Sequence, residues 1–214
     1  MACRIAVLIS GSGSNLQALI DNLDTHHGDI IAVMSNRPDA YGLERARRAG
    51  IDTLVLDHKN FPDRESFDTE MIARLDALQP DLVILAGFMR ILSAKFVTHF
   101  HGRLLNIHPS LLPKYKGLHT HKRVLEAGDN EHGATVHFVT EELDGGPLVV
   151  QARVPVIPGD TPESLAQRVQ QQEHVLYPLA MNLFANGRLR LIDGRTCLDG
   201  APLGANGMEP DGFN

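Results

Sequence analysis

Residues 4–10 are an almost unbroken apolar run, the pattern of a strand covered on both faces. Residues 11–14 are turn-forming, and 15–23 place apolar positions at helical spacing. The alternation then repeats. A strand is predicted at 29–34, a helix at 41–49 with Gly50 placed to stop it, and a short strand at 53–56. A helix at 64–78 puts Phe67, Met71, Ile72, Leu75 and Leu78 on one face, and Pro80 follows its end. A strand at 82–86, a helix at 93–100 and a strand at 104–107 continue the series. Such β-α-β alternation predicts an α/β fold: a doubly wound, mostly parallel sheet with a Rossmann-like N-terminal half.

The pattern changes after that. Residues 109–117 read as a long loop rich in Pro, Lys and Tyr, and 119–127 as a helix. Strands at 134–139 and 148–154 flank a Gly-Gly turn, which predicts an antiparallel element near the C-terminal half. Residues 161–184 form a long helical pattern that Pro178 should kink or interrupt. Residues 194–214 are rich in Gly and Pro without periodicity and are expected to be a loose tail. No repeat or low-complexity linker divides the chain, so 1–193 reads as a single domain.

Bulk properties narrow the function classes. With 214 residues and 43% hydrophobic content, the chain can bury a sizeable core. A net charge of -6 lacks the basic stripe of a nucleic-acid footprint. The apolar run at 5–9 is far too short for a membrane span, and no signal-peptide cleavage region follows it. Cys3 and Cys197 offer neither a disulfide framework nor a metal knuckle. The expectation is a cytoplasmic protein, monomer or homodimer, that acts on small molecules without nucleic acid or membrane.

Two constellations carry chemistry. Gly11, Ser12, Gly13, Ser14 and Asn15 join the first strand to the first helix. Glycines let backbone approach an anion, and a helix start supplies free N–H groups. Leu16 stands where the dinucleotide fingerprint needs its third Gly, and no Gly-Lys-Ser/Thr follows. A small phosphate monoester therefore suits the turn better than NAD or ATP. The plainer alternative is a turn whose Ser14 or Asn15 caps the helix. The second constellation is Asn106 and His108, spaced i, i+2 at the end of an apolar run, with Asp144 on a later Gly-rich loop. Asn can hold an oxyanion, His can carry a proton, and Asp can fix charge on the His. The alternative is an ordinary loop His and a turn Asp.

No side-chain nucleophile accompanies them. The Gly-x-Ser-x-Gly elbow is absent, and Ser110 follows His108 too closely for an ordinary Ser-His pair. Acyl transfer would then need the substrate to bring its own nucleophile. The pairs His99/His101 and His119/His121 have metal-compatible spacing but no further ligand at a recognised distance, so no metal is expected. Arg64 and Arg90 are candidate anion binders. Arg90 lies in the segment Met89, Arg90, Ile91, Leu92 after the fourth strand, where apolar neighbours can line a pocket for a flat heterocycle.

The segments 85–92, 105–113 and 144–147 resemble the family of formyltransferases that use 10-formyltetrahydrofolate. The segments 11–15, 117–121, 132–139 and 172–174 are similar to the branch that formylates phosphoribosylglycinamide in purine synthesis. The resemblance spans about residues 4–193. It implies 10-formyltetrahydrofolate as co-substrate and Asn106, His108 and Asp144 as the catalytic trio, with Asp144 raising the pKa of His108. It implies that Gly11 to Asn15 hold the substrate phosphate, and that Gln170 and Glu173 contact its ribose and glycinamide portions. Folate would lie against Arg64, Met89, Arg90, Ile91, Leu92 and Asn106, and along Thr140, Glu141, Glu142, Leu143 and Asp144. Lys116 departs from the resemblance, standing where many members carry Pro.

Other readings are a formyltetrahydrofolate hydrolase, a methionyl-tRNA formyltransferase, or a binding module without catalysis. The chain is expected to lack room for the extra domains of the first two, and its acidity argues against tRNA. A bare binding module needs no such acid.

Overall fold

Alternation along the first strand sends its side chains into separate layers. Ile5, Val7 and Ile9 join one core cluster, and Ala6 and Leu8 the other. The computed structural model describes residues 1–208 and Pro210. The strands β1 (Cys3–Ile9), β2 (Gly28–Ser35), β3 (Asp52–Val55), β4 (Leu82–Leu85), β5 (Leu104–His108), β6 (Glu131–Phe138) and β7 (Leu148–Pro155) form one seven-stranded sheet in the order β3-β2-β1-β4-β5-β6-β7. The pairs among β1 to β5 are parallel. Those of β6 with β5 and β7 are antiparallel, as the sequence pattern predicts.

Helices cover both faces. The first core cluster carries residues of α1 (Ser14–Asp21), α2 (Gly42–Arg48), α5 (Thr120–Ala127) and α6 (Pro162–Ala185). The second carries residues of α3 (Arg64–Leu78) and α4 (Ala94–His99). On α3 the apolar face buries Phe67, Met71, Ile72 and Leu75, and Asp63 caps the start by accepting the Ser66 N–H. After α2, Gly50 adopts φ +72, the left-handed conformation expected of a stop residue. Among the described residues no helix is long and apolar enough to cross a membrane.

Two expectations need correction. Helix α6 runs unbroken through Pro178 rather than being interrupted. Its buried face, which includes Leu176, Tyr177, Ala180 and Met181, outweighs the one lost backbone bond. The expected loose tail is instead ordered through Met208. Strands β8 (Leu189–Ile192), β9 (Arg195–Leu198) and β10 (Ala201–Pro202) form an antiparallel sheet, and Met208 bridges to Val150 on the β7 edge. The turns between these strands are Asp193-Gly194 and Asp199-Gly200, all four residues at positive φ. That is the type I′ hairpin turn, whose Asp-Gly signature is the local cue. The remainder of the expected tail, 209 and 211–214, lies outside the described residues.

Candidate active site

Leu105 and Ile107 belong to the α6-side core, which turns Asn106 and His108 of β5 to the opposite face. In the β5–β6 ladder Asn106 is opposite His137, and His108 opposite Thr135. His137 is buried, and its Nδ1–H donates to the Phe138 carbonyl at 3.0 Å. Its Nε2 is therefore an acceptor and accepts a hydrogen bond from the Asn106 amide N–H at 3.3 Å. Burial pushes the His137 pKa down to about 4, so the ring stays neutral at pH 7. The contact sets which end of the Asn106 side chain is nitrogen.

His108 is held from both sides. Its Nε2 lies 2.8 Å from the Tyr115 carbonyl, which can only accept, so Nε2 carries a proton. Its Nδ1 faces Oδ2 of Asp144 at 3.6 Å, and both side chains are only 8% exposed. Asp144 accepts the Gly117 N–H at 2.9 Å, and its other oxygen is 3.9 Å from Nε2 of His137. The backbone of Asp144 is left-handed, with φ +50, a conformation Asp tolerates better than most residues. The structure thus brings Asn106, His108 and Asp144 together, with His137 and the Tyr115 carbonyl as further members that sequence reading did not name. The signal for His137 was its i, i+2 spacing to Thr135 on the paired strand; a backbone carbonyl leaves no signal.

A buried network fixes the loop that bears Tyr115. Thr135 donates to the Ser110 carbonyl at 2.7 Å and accepts the Leu112 N–H at 3.1 Å. Gln151 donates to the Leu112 carbonyl at 2.7 Å, and Ser110 to the Lys114 carbonyl at 2.7 Å. Both hydroxyls nearest the trio in this network are thereby committed to backbone. Besides the Asp144 bond to Gly117, the segment from Thr140 to Asp144 is tied at two more points. Glu141 accepts from Thr98 at 3.1 Å, and Glu142 from Lys116 at 2.7 Å. Lys116 thus joins this loop to the one after β5. Leu143, Met89 and Ile91 are exposed at 55%, 70% and 61%.

The turn before α1 is glycine-capped and opens onto a cavity. Its N-cap is Gly13 at φ +74, and no side chain caps the helix, so Ser14 and Asn15 do not play the capping role. Two residues of α6 reach it. Gln170 donates to the Ser14 hydroxyl at 3.0 Å, and Glu173 accepts from Asn15 at 3.0 Å. Glu173 is buried, which raises its pKa, and Oδ1 of Asn15 is buried without a partner. Gly11 to Asn15 share a cavity of about 420 Å³ with Met89 and Arg90. Ser10, Asn36, Arg37 and His58 also line it and were not anticipated. The Ser10 hydroxyl accepts the Met89 N–H at 2.8 Å and donates to Asn36 at 2.5 Å, linking this turn to the segment after β4.

Arg90 lies over the Phe67 ring at 5.0 Å with a buried, unpartnered Nε. Arg64 is half exposed at the start of α3, with Glu65 at 3.8 Å, and neither it nor Ile91, Leu92 or the trio lines that cavity. The histidine pairs diverge: His99 meets Asp76 at 2.8 Å, and His121 meets His132 at 3.0 Å.

A family model described as formyl transferase matches residues 3–181. The chain belongs to the formyl transferase family. It is similar to phosphoribosylglycinamide formyltransferase of Escherichia coli (strain K12), 57% identical over 97% of this chain and 99% of that one. Its likeness to the Haemophilus influenzae protein of the same name is 52% over 95% of this chain and 97% of that one. Among solved structures, the Coxiella burnetii phosphoribosylglycinamide formyltransferase in complex with CHES superposes with a TM-score of 0.93, at 50% identity over 98% of this chain and 99% of that one. The mostly parallel seven-stranded sheet is thus the formyl transferase fold.

Proposed function

We propose that this formyl transferase moves the formyl group of 10-formyltetrahydrofolate to the glycinamide amine of 5-phosphoribosylglycinamide, giving 5-phosphoribosyl-N-formylglycinamide and tetrahydrofolate in purine synthesis. The observation that carries the reading is the convergence of Asn106, His108 and Asp144, whose hydrogen-bond and ion-pair partners among the described residues include no Ser, Thr or Cys side chain, on a chain 57% identical over 97% of its length to an enzyme named phosphoribosylglycinamide formyltransferase.

Folate supplies the formyl carbon on a nitrogen leaving group. The exposed apolar side chains Met89, Ile91 and Leu143 fit a flat ring that would cover them, and Arg64 offers a charge to its carboxylates. The turn from Gly11 to Asn15 would hold the phosphate on its N–H groups. Glu173 and the unpartnered Oδ1 of Asn15 match ribose hydroxyls and the substrate's amide as acceptors.

The substrate amine attacks the formyl carbon directly, so both substrates are bound at once. Asn106 donates its second amide hydrogen to the oxygen as negative charge builds there. His108, with its Nε2–H held by the Tyr115 carbonyl and its Nδ1 facing the Asp144 carboxylate, stands on the same strand face as Asn106 and would stabilise the same charge. As the carbon–nitrogen bond to folate breaks, that nitrogen gains a proton and the attacking amine loses one. Proton count is conserved, and no covalent enzyme intermediate forms.

An assay with purified protein tests this. Formyl transfer that requires both substrates is expected. Folate deformylation without the amine would indicate a hydrolase, and binding of both without turnover would indicate a module without catalysis; either result overturns the proposal.

A further inference from the structure

The turn before α1 can offer donors to an anion because its acceptors are occupied elsewhere. The Gly13 carbonyl takes the Gln17 N–H at 2.9 Å, and the Gly11 carbonyl takes the Gly42 N–H at 3.0 Å. The Ser12 carbonyl takes Nε of Arg45 at 2.8 Å. None of these oxygens is left to repel a phosphate. Arg45 also packs against the turn, with its Cδ 3.3 Å from the position a Gly13 Cβ would take.

The charge of Arg45 is unspent. On α2, Glu44 pairs with Arg47 and Arg48 at 3.9 and 3.1 Å, while Arg45 makes no ion pair among the described residues. Its other partners are the Gln17 amide oxygen at 3.4 Å and the Tyr41 ring at 5.1 Å. The turn itself contains no cation, and the α6 residues that reach it are a neutral Gln170 and an acidic Glu173. Arg45 stands behind the turn rather than on the cavity wall; of the arginines that line the cavity, Arg37 is held by Asp39 at 2.8 Å, and Arg90 is stacked on Phe67. A phosphate monoester near neutral pH carries close to two negative charges. Arg45 is the cation bonded to the turn that would receive them.

We propose that Arg45 is a positioning residue for the substrate phosphate: it draws the Ser12 carbonyl away from the site and supplies the balancing positive charge. This rests on the reading of the turn as the phosphate site. Neutralising Arg45 should therefore weaken recognition of the phosphate and leave formyl transfer itself alone.

The test compares full-length wild type with Arg45→Gln, Arg45→Met and Arg45→Lys on phosphoribosylglycinamide and on its dephosphorylated riboside. Arg45→Gln is expected to raise KM for the phosphorylated substrate about tenfold, the equivalent of one charge-assisted hydrogen bond. Its kcat and folate KM should stay within about twofold, and the riboside should be used equally well by variant and wild type. Arg45→Met keeps the stem that packs on Gly13 and should show the same phosphate-specific loss if the Gln variant folds poorly. Arg45→Lys should recover most of it. Equal losses on both substrates, or an unchanged KM, overturn the proposal. Titrating wild type with inorganic phosphate checks the underlying reading separately. If the amide resonances of Ser12, Gly13 and Ser14 do not move, the turn is not the phosphate site and both ideas fall. If they move while the Arg45 variants keep the phosphate preference, the role of Arg45 alone falls.

Discussion

Nε2 of His108 donates to the backbone carbonyl of Tyr115 at 2.8 Å. That bond commits one ring nitrogen to the loop after β5 and leaves Nδ1 as the nitrogen facing Asp144 at 3.6 Å. The carboxylate of Asp144 is thus the negative charge that faces the ring's second nitrogen. Asp144→Asn isolates this effect. Asn tolerates the φ of +50, and its amide oxygen can still accept the Gly117 N–H, so the loop should keep its shape. We expect kcat to fall by about 10²–10⁴-fold, the usual worth of a positioned proton donor, with the melting temperature nearly unchanged. Single-turnover kinetics check it, and a loss smaller than tenfold would remove Asp144 from the catalytic trio.

The Tyr177 hydroxyl is fully buried on α6 and meets the carbonyls of Leu85 and Leu105 at 2.7 and 3.0 Å. It therefore clips β4 to β5, one residue before Asn106 on β5. Tyr177→Phe keeps the ring and removes the single hydroxyl hydrogen that these two carbonyls share, at a cost of about 1–3 kcal/mol. Urea denaturation should show the midpoint falling with an unchanged slope. A stability equal to wild type would mean that water or the strand ladder already satisfies both carbonyls.

The sheet was legible because apolar runs and helical spacing report burial directly, as with residues 4–10 and the face of Phe67, Met71, Ile72 and Leu75. The strand position of Asn106 and His108 was legible for the same reason. The Gly-rich loop marked Asp144 as a candidate, and the family likeness then supplied Gln170 and Glu173, whose approach no local spacing reveals. What spacing could not show was backbone chemistry: the Tyr115 carbonyl at His108, and the Ser12 and Gly11 carbonyls turned toward α2. The C-terminal hairpins were missed for a different reason. Their strands are too short to show a period, and the Asp-Gly turns that mark them look like the composition of a loose tail.

Gly13 is where the anion turn meets α2. A Cβ there would lie 2.6 Å from the Gly42 Cα, and φ is +74. Left-handed backbone alone costs an ordinary residue about 1–2 kcal/mol. Gly13→Ala should therefore lower stability by about 2 kcal/mol or more and push the turn away from Gly42. Because the N–H groups move with it, KM for the phosphorylated substrate should rise while KM for folate holds. Equilibrium denaturation with parallel steady-state kinetics measures both. Wild-type behaviour in the two assays would show that the turn can relax without losing its ligand geometry.

Two buried histidines should write a pH dependence into stability. His137 and His132 are pushed down to about 4, in each case chiefly by burial, whereas an unfolded His titrates near 6.5. Between pH 6.5 and 4 the unfolded chain binds protons that the folded protein refuses. Unfolding then becomes easier as pH falls, and the loss levels off once pH passes below the folded values. Each such group contributes a slope of up to about 1.4 kcal/mol per pH unit inside that window. Chemical denaturation at intervals from pH 7 to 4 should show the decline, and His132→Asn should make it shallower by removing one titrating group. His132 suits the test because it stands outside the trio, against His121 at 3.0 Å. The carboxylates held low by partners, such as Asp160 beside Arg168, release their stability only below the ordinary carboxylate range, so they do not mimic a slope at pH 6. Glu173 and Asp68, pushed up by burial, bind protons on folding and oppose the decline, so the deciding quantity is the difference between wild type and His132→Asn: identical profiles would mean that His132 accepts its proton in the folded state.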